Sequence, residues 1–121
     1  LQLVAGRQHL MALADAPESA IRSWAVIVGE FHGCDRIVDD TFRWVATSAL
    51  AKLNRSHQAV HLHANNVGTL GAVHGILLPG FMEITWLRRD LDEFRESDEP
   101  IPGPLDRPND PRFPEIVLRP G

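Results

Sequence analysis

Hydrophobic and polar positions divide the start of the chain into one strand and two short helices. Residues 1–5, LQLVA, form an apolar run that favours a buried strand. Over residues 7–14 the apolar positions recur at helical spacing. Pro17 suits the first position of another helical turn, which ends near Ile21. These elements lead into the first long apolar segment.

The next three elements are predicted to be a strand, a long helix and a second strand. Residues 24–32, WAVIVGEFH, are almost all apolar, which is typical of a strand buried on both faces of a parallel sheet. Asp39 or Asp40 can cap the helix that follows, since apolar residues recur there at helical spacing. Residues 59–66, AVHLHANN, predict the second strand. This order favours a right-handed crossover, so we expect the two strands to be parallel.

A last strand and a proline-rich tail complete the predicted organisation. Residues 81–90, FMEITWLRRD, follow a glycine-punctuated connection without a helix, so this strand should lie antiparallel to a neighbour. Seven of the nine prolines lie beyond residue 94, and they predict an extended tail that wraps the domain, with a short strand at 116–118. The predicted fold class is α/β, with mostly parallel strands and a final antiparallel strand. Residues 1–94 form the domain and residues 95–121 the Pro-rich extended tail.

Polar side chains gather where the two parallel strands are predicted to end. Glu30 and His32 close the first strand, and the second ends in His63, Asn65 and Asn66. Because parallel strands finish at one edge of a sheet, these side chains should share the crevice in which α/β proteins bind ligands. A buried Glu30 would suit a general base acting on an acceptor hydroxyl, with His32 sharing its proton. The structural alternatives are that Glu30 pairs with an arginine and that the asparagines satisfy backbone groups of a turn.

The spacing of two histidines leaves a metal site open as a further interpretation. His61 and His63 lie on one face of their strand, because side chains alternate with a period of two. Together with Glu30 or His32, they could hold zinc or iron. The other interpretation is that one histidine packs in the sheet while the second bonds to a loop.

Composition narrows the classes of protein and partner. The 121 residues, 44% of them hydrophobic and 23% charged, fit a single globular domain. The formal net charge of −4 argues against nucleic acid or an acidic membrane as the main partner. Cys34 is the only cysteine, so no internal disulfide can form and a reducing, cytoplasmic compartment is expected. No apolar run approaches the roughly 18 residues that a membrane span needs.

Three segments in order carry a family resemblance. VGEFHGCDRI, then VHLHANN, then LPGFMEITWLRRD resemble the C-terminal half of FkbM-like, S-adenosylmethionine-dependent class I methyltransferase domains, over residues 24–90. The resemblance implies a partial Rossmann-like sheet. It also implies transfer of a methyl group from S-adenosylmethionine to an oxygen or nitrogen of a small acceptor. Glu30 and His32 would then act at the acceptor as catalytic residues, and His63, Asn65 and Asn66 would bind it.

The chain also departs from that family. The strand before the EFH segment typically ends there in an acidic Asp–Ile–Glu–Gly-type sequence, whereas this chain has Val4 and Ala5. The family's glycine-rich loop and ribose-binding acid would precede Leu1. We therefore expect an incomplete or degenerate domain that does not bind S-adenosylmethionine alone. Its expected partners are a small-molecule acceptor and either a second copy of the chain or a missing N-terminal half.

Two further functional classes remain open from the sequence. The first is a small metal-dependent enzyme built on His61, His63 and a carboxylate. The second is a non-catalytic folded subunit that covers its open sheet edge with a partner.

Overall fold

The computed structural model describes residues 2–5 and 7–118, with side chains from residue 9 onward. In this part of the chain the elements are β1 (Gln2–Ala5), α1 (Arg7–Asp15), α2 (Glu18–Arg22), β2 (Val26–His32), a 3₁₀ helix (Cys34–Val38), α3 (Asp40–Ser56), β3 (His57–Ala64), β4 (Leu70–Val73), β5 (Ile76–Pro79) and β6 (Phe81–Arg88).

Four of these strands form the main sheet, in the order β1-β2-β6-β3. β1 is parallel to β2, whereas β6 is antiparallel to both of its neighbours, β2 and β3. β4 and β5 form a separate antiparallel hairpin. Its two-residue turn places His74 and Gly75 at φ of 49° and 79°, as a type I′ turn requires.

The prediction of a mostly parallel, Rossmann-like sheet is wrong. Two of the three strand pairings in the main sheet are antiparallel, because β6 lies between β2 and β3 and keeps them apart. β6 follows a hairpin rather than a crossover helix, so it can enter the sheet in the reverse direction. Hydrophobic periodicity predicts the four strands of this sheet, but it carries no information about which strands become neighbours.

One face of the sheet packs against α1 and α3 and forms the core. Ile27 of β2 and Trp86 of β6 are fully buried there with Leu53 of α3. The predicted long helix is confirmed: its apolar stripe faces this core. Asp39 is the N-cap, and its Oδ1 accepts a hydrogen bond from Phe42 N at 2.7 Å.

The opposite face of the sheet, called the outer face below, is only partly covered. Its side chains are those of Val26, Val28, Glu30 and His32 on β2, Phe81, Glu83, Thr85 and Leu87 on β6, and His61 and His63 on β3. Val26 and Val28 are 40% and 39% exposed, so the expectation that β2 is buried on both faces is wrong. The helices lie on the core side, and hydrophobic content alone does not reveal that.

The described part of the tail, residues 95–118, crosses the outer face over β3 and β6. Within residues 95–118 the structure shows neither a helix nor a strand. One isolated β-bridge joins Ile101 to Leu118. The short strand predicted at 116–118 is thus reduced to this single pairing. No helix in the described part of the chain is long and apolar enough to cross a membrane.

Candidate functional site

The carboxyl ends of β2 and β3 do lie at one edge of the sheet. Each strand is antiparallel to β6, so the two run in the same direction although they are not neighbours. Glu83 of β6 lies between Glu30 and His63 in the strand register. The central position of Glu83 does not follow from the hydrophobic pattern of β6, because it depends on which strands become neighbours.

Glu30 and His32 form a hydrogen-bonded pair at the end of β2. His32 Nε2 lies 2.9 Å from Glu30 Oε1, and the two side chains are 37% and 35% exposed. The ring of His32 also stacks on Phe81, with 4.2 Å between ring centroids. Glu30 is therefore half-buried rather than enclosed, and the pair is both held in place and open to a small molecule.

The hydrogen bond assigns a role to each member of the pair. When Nε2–H of a neutral His32 donates to Glu30, Nδ1 carries the lone pair. His32 Nδ1 has no hydrogen-bond partner among the described residues. In that tautomer the carboxylate orients the imidazole through this hydrogen bond.

His63 is buried and is engaged by two carboxylates. Its side chain is 4% exposed, and Nδ1 and Nε2 lie 3.1 Å from Glu83 and 3.2 Å from Glu115. Burial opposes the charge on the ring, but the hydrogen bonds and the charges of both carboxylates raise the pKa of His63 above its ordinary value. Both nitrogens then donate, as they do in an imidazolium. Both ring nitrogens of His63 are therefore engaged by contacts within the protein.

The two asparagines also bind parts of the protein itself. Asn65 Oδ1 accepts a hydrogen bond from Val67 N at 2.9 Å, within the turn that leaves β3. Asn66 Nδ2 donates to the carbonyl oxygens of Asp110 at 2.9 Å and Phe113 at 3.0 Å. Asn66 Oδ1 accepts from Asp110 N at 2.9 Å. The structure thus uses both amides to satisfy backbone groups, and Asn66 fastens the tail.

Three more tail residues contact the outer face, and none of them was recognised from the sequence. Asp106 Oδ1 is 2.8 Å from His61 Nε2, and Asn109 Nδ2 donates to Glu83 at 2.7 Å. Partial burial opposes the charge on Asp106, but hydrogen bonds from the Gly103 backbone and from His61 hold the pKa of this carboxyl below its ordinary value. Glu115 Oε1 is buried without a hydrogen-bond partner in the described chain. The sequence did contain a signal for these contacts. Its tail has acidic and amide residues, and β3 is rich in histidine.

The described residues provide no group of three or more His, Cys, Asp or Glu side chains placed to hold a metal ion. His61 and His63 share a face but engage different carboxylates, those of Asp106 and Glu115. The geometry therefore gives no support to the metal interpretation of these two histidines.

Two spaces formed by the described residues lie away from the Glu30–His32 pair. A groove of about 410 Å³ runs along β3 and α3, and an apolar cavity of about 200 Å³ lies under β5. Neither is lined by Glu30 or His32.

No family model matches this chain, and neither a curated protein nor a solved structure matches it. The function proposed below therefore depends on the geometry of the described residues and on the resemblance of residues 24–90.

Proposed function

We propose that this chain supplies the acceptor side of a methyltransferase, in which His32, oriented by Glu30, takes a proton from the hydroxyl or amine of a small acceptor. The observation that carries the proposal is the hydrogen-bonded and partly exposed Glu30–His32 pair at the end of β2. The reaction type comes from the resemblance of residues 24–90 to FkbM-like methyltransferases.

The surroundings of the pair support a general-base role. Phe81 stacks on His32 and restricts the ring, so that little orientation is lost when an acceptor binds. A positioned base of this kind contributes about 10²- to 10⁴-fold to rate. In this proposal S-adenosylmethionine, held by other residues, would supply the methyl group.

The end of β3 has a positioning role in this proposal. Asn65 N donates to Phe81 O at 3.0 Å, which fixes the residue on which His32 stacks. His63 and Asn66 hold the tail beside the pair. The acceptor therefore contacts Glu30 and His32, and the residues of β3 set the shape of the surface around them.

A transfer assay with labelled S-adenosylmethionine tests the proposal. The product of the whole gene is incubated with small alcohols and amines, alongside the variants Glu30→Gln and His32→Gln. We expect each variant to lose about 10²-fold or more in kcat. His9→Gln, which changes an exposed histidine of α1, is the control and should keep full activity. Absence of transfer, or equal activity in all variants, would contradict the proposal.

Binding of the cofactor gives a separate measurement. Isothermal titration of S-adenosylmethionine into the 121-residue chain should show no heat of binding. Stoichiometric binding by this chain would overturn the inference that the cofactor is held by other residues. The groove along β3 would then be the candidate cofactor site.

A further inference from the structure

We infer that the interior of the domain binds a small uncharged hydrocarbon, such as a single aromatic ring, in the apolar cavity under β5. This cavity measures about 200 Å³ and lies between α3 and the core face of the sheet. Phe31, Phe42, Ala46 and Met82 line it, together with Pro79 and Cys34 near β5, and it is partly open to solvent.

The size and lining of the cavity define the class of ligand. An enclosed cavity of about 150 Å³ lined by Leu, Ile and Phe takes up benzene or xenon, so the volume here suffices for one such molecule. The described residues that line this cavity are apolar, with Cys34 as the one thiol. A charged ligand would lose its hydration there without gaining a partner, so the site selects neutral apolar molecules.

Cys34 remains neutral in this environment. Burial, reinforced by the neighbouring Asp35 carboxylate, raises the pKa of the Cys34 thiol to about 11. The Cys34 Sγ–H points to Phe31 O at 3.7 Å, so its proton already has an acceptor. The thiol therefore adds polarizable surface to the cavity without adding a charge.

The cavity is separate from the Glu30–His32 pair. Phe31 faces the core side of β2, whereas Glu30 and His32 face the outer side, because side chains alternate along a strand. The inference therefore stands independently of the proposed methyl transfer.

Benzene is the probe, and a variant that fills the cavity provides the test. Ala46 is buried on α3 and lines the cavity, so Ala46→Leu places a larger side chain in that space. Ala51→Leu makes the same change at an exposed position of α3 and is the matched control. A ligand that binds only the folded state raises the melting temperature. Benzene should therefore raise it by a few degrees in the unchanged chain and in Ala51→Leu, and leave Ala46→Leu unchanged.

A second measurement keeps the inference testable if Ala46→Leu fails to fold. Alkylation of Cys34 in the unchanged chain should slow at least tenfold in the presence of saturating benzene, since the thiol lines the same space. Benzoate at the same concentration should not slow it. Unaltered alkylation with benzene, equal protection by benzoate, or a benzene-dependent shift retained in Ala46→Leu would overturn the inference.

Discussion

His63 links β3 to the tail through a charge that depends on pH. Glu83 on β6 and Glu115 on the tail accept its two hydrogen bonds, and Asp106 of the tail also interacts with its charge. The pKa of His63 is higher in the folded state than in the unfolded chain, so the folded state binds the proton more tightly. The stability that results is fully present below the unfolded pKa of about 6.5 and is lost as pH rises through the folded pKa.

We expect Glu115→Gln to weaken this dependence on pH. The variant removes one of the two carboxylates that hold the imidazolium, and a hydrogen bond to a charged group contributes about 1.5–3 kcal/mol. Between pH 5 and pH 9 the melting temperature should therefore fall less steeply for Glu115→Gln than for the unchanged chain. Glu96→Gln, at an exposed position of the tail, is the control. A slope in Glu115→Gln equal to that of the control would mean that His63 is not charged by this pairing.

Single residues were predictable from sequence where the cause is local. Asp39 could be recognised as a helix cap because its carboxylate and the donor, Phe42 N, lie three residues apart. Glu83, Glu115 and Asp106 could not be placed, since their partners are distant in the chain and depend on where the tail lies. The Glu30–His32 pair was predictable in part. The spacing of two residues put both side chains on one face of the strand, but their exposure depends on what covers that face.

At the scale of elements, periodicity predicted β2, α3, β3 and β6, and missed the hairpin of β4 and β5. Residues 68–80 contain four glycines and looked like a connection. The hairpin forms because its short apolar strands meet across a two-residue turn with His74 and Gly75 at positive φ. His74 is an unusual residue in that conformation, which weakened the signal in the sequence.

The N-terminus of α3 tests whether one local hydrogen bond stabilises the whole domain. Asp39→Ala removes the side-chain acceptor of Phe42 N, and loss of such a cap costs about 1 kcal/mol. Chemical denaturation should show this decrease in the free energy of unfolding. Asp39→Ser retains a capping oxygen and should recover most of the stability. An Asp39→Ala chain as stable as Asp39→Ser would rule out the cap as a stabilising contact.

At the scale of the whole molecule, the tail is held to the sheet mainly by side chains of β3 and β6. Asn66 makes the densest set of these contacts, because its one amide group binds the backbone of both Asp110 and Phe113. Since the partners of Asn66 are backbone groups, both donors and acceptors, the tail can be fastened without a regular element of its own. The proline-rich composition predicted a wrapped tail, but the face it crosses follows from these hydrogen bonds.

We expect Asn66→Ala to loosen the tail. The Asp110 amide, now bonded to Asn66 Oδ1 at 2.9 Å, should exchange its hydrogen about 10- to 100-fold faster, since a lost hydrogen bond in a partly buried site costs about 1–3 kcal/mol. Hydrogen exchange followed by mass spectrometry or NMR measures this rate. Asn109→Ala removes a single bond to Glu83 and should leave the Asp110 amide protected. Equal protection of that amide in both variants would contradict the role of Asn66.

Limited proteolysis tests whether the tail stays bound to the rest of the domain after the chain between them is cut. Arg95 is exposed in a stretch without helix or strand, so trypsin should cut there first, whereas Arg107 precedes a proline and resists cleavage. The tail residues that bond to Asn66, His61 and His63 all lie beyond the cut. The two fragments should therefore elute together from a sizing column under native conditions and separate in denaturant. In Asn66→Ala they should separate without denaturant. Separation in the unchanged chain would show that the linking segment, rather than the contacts across the outer face, holds the tail in place.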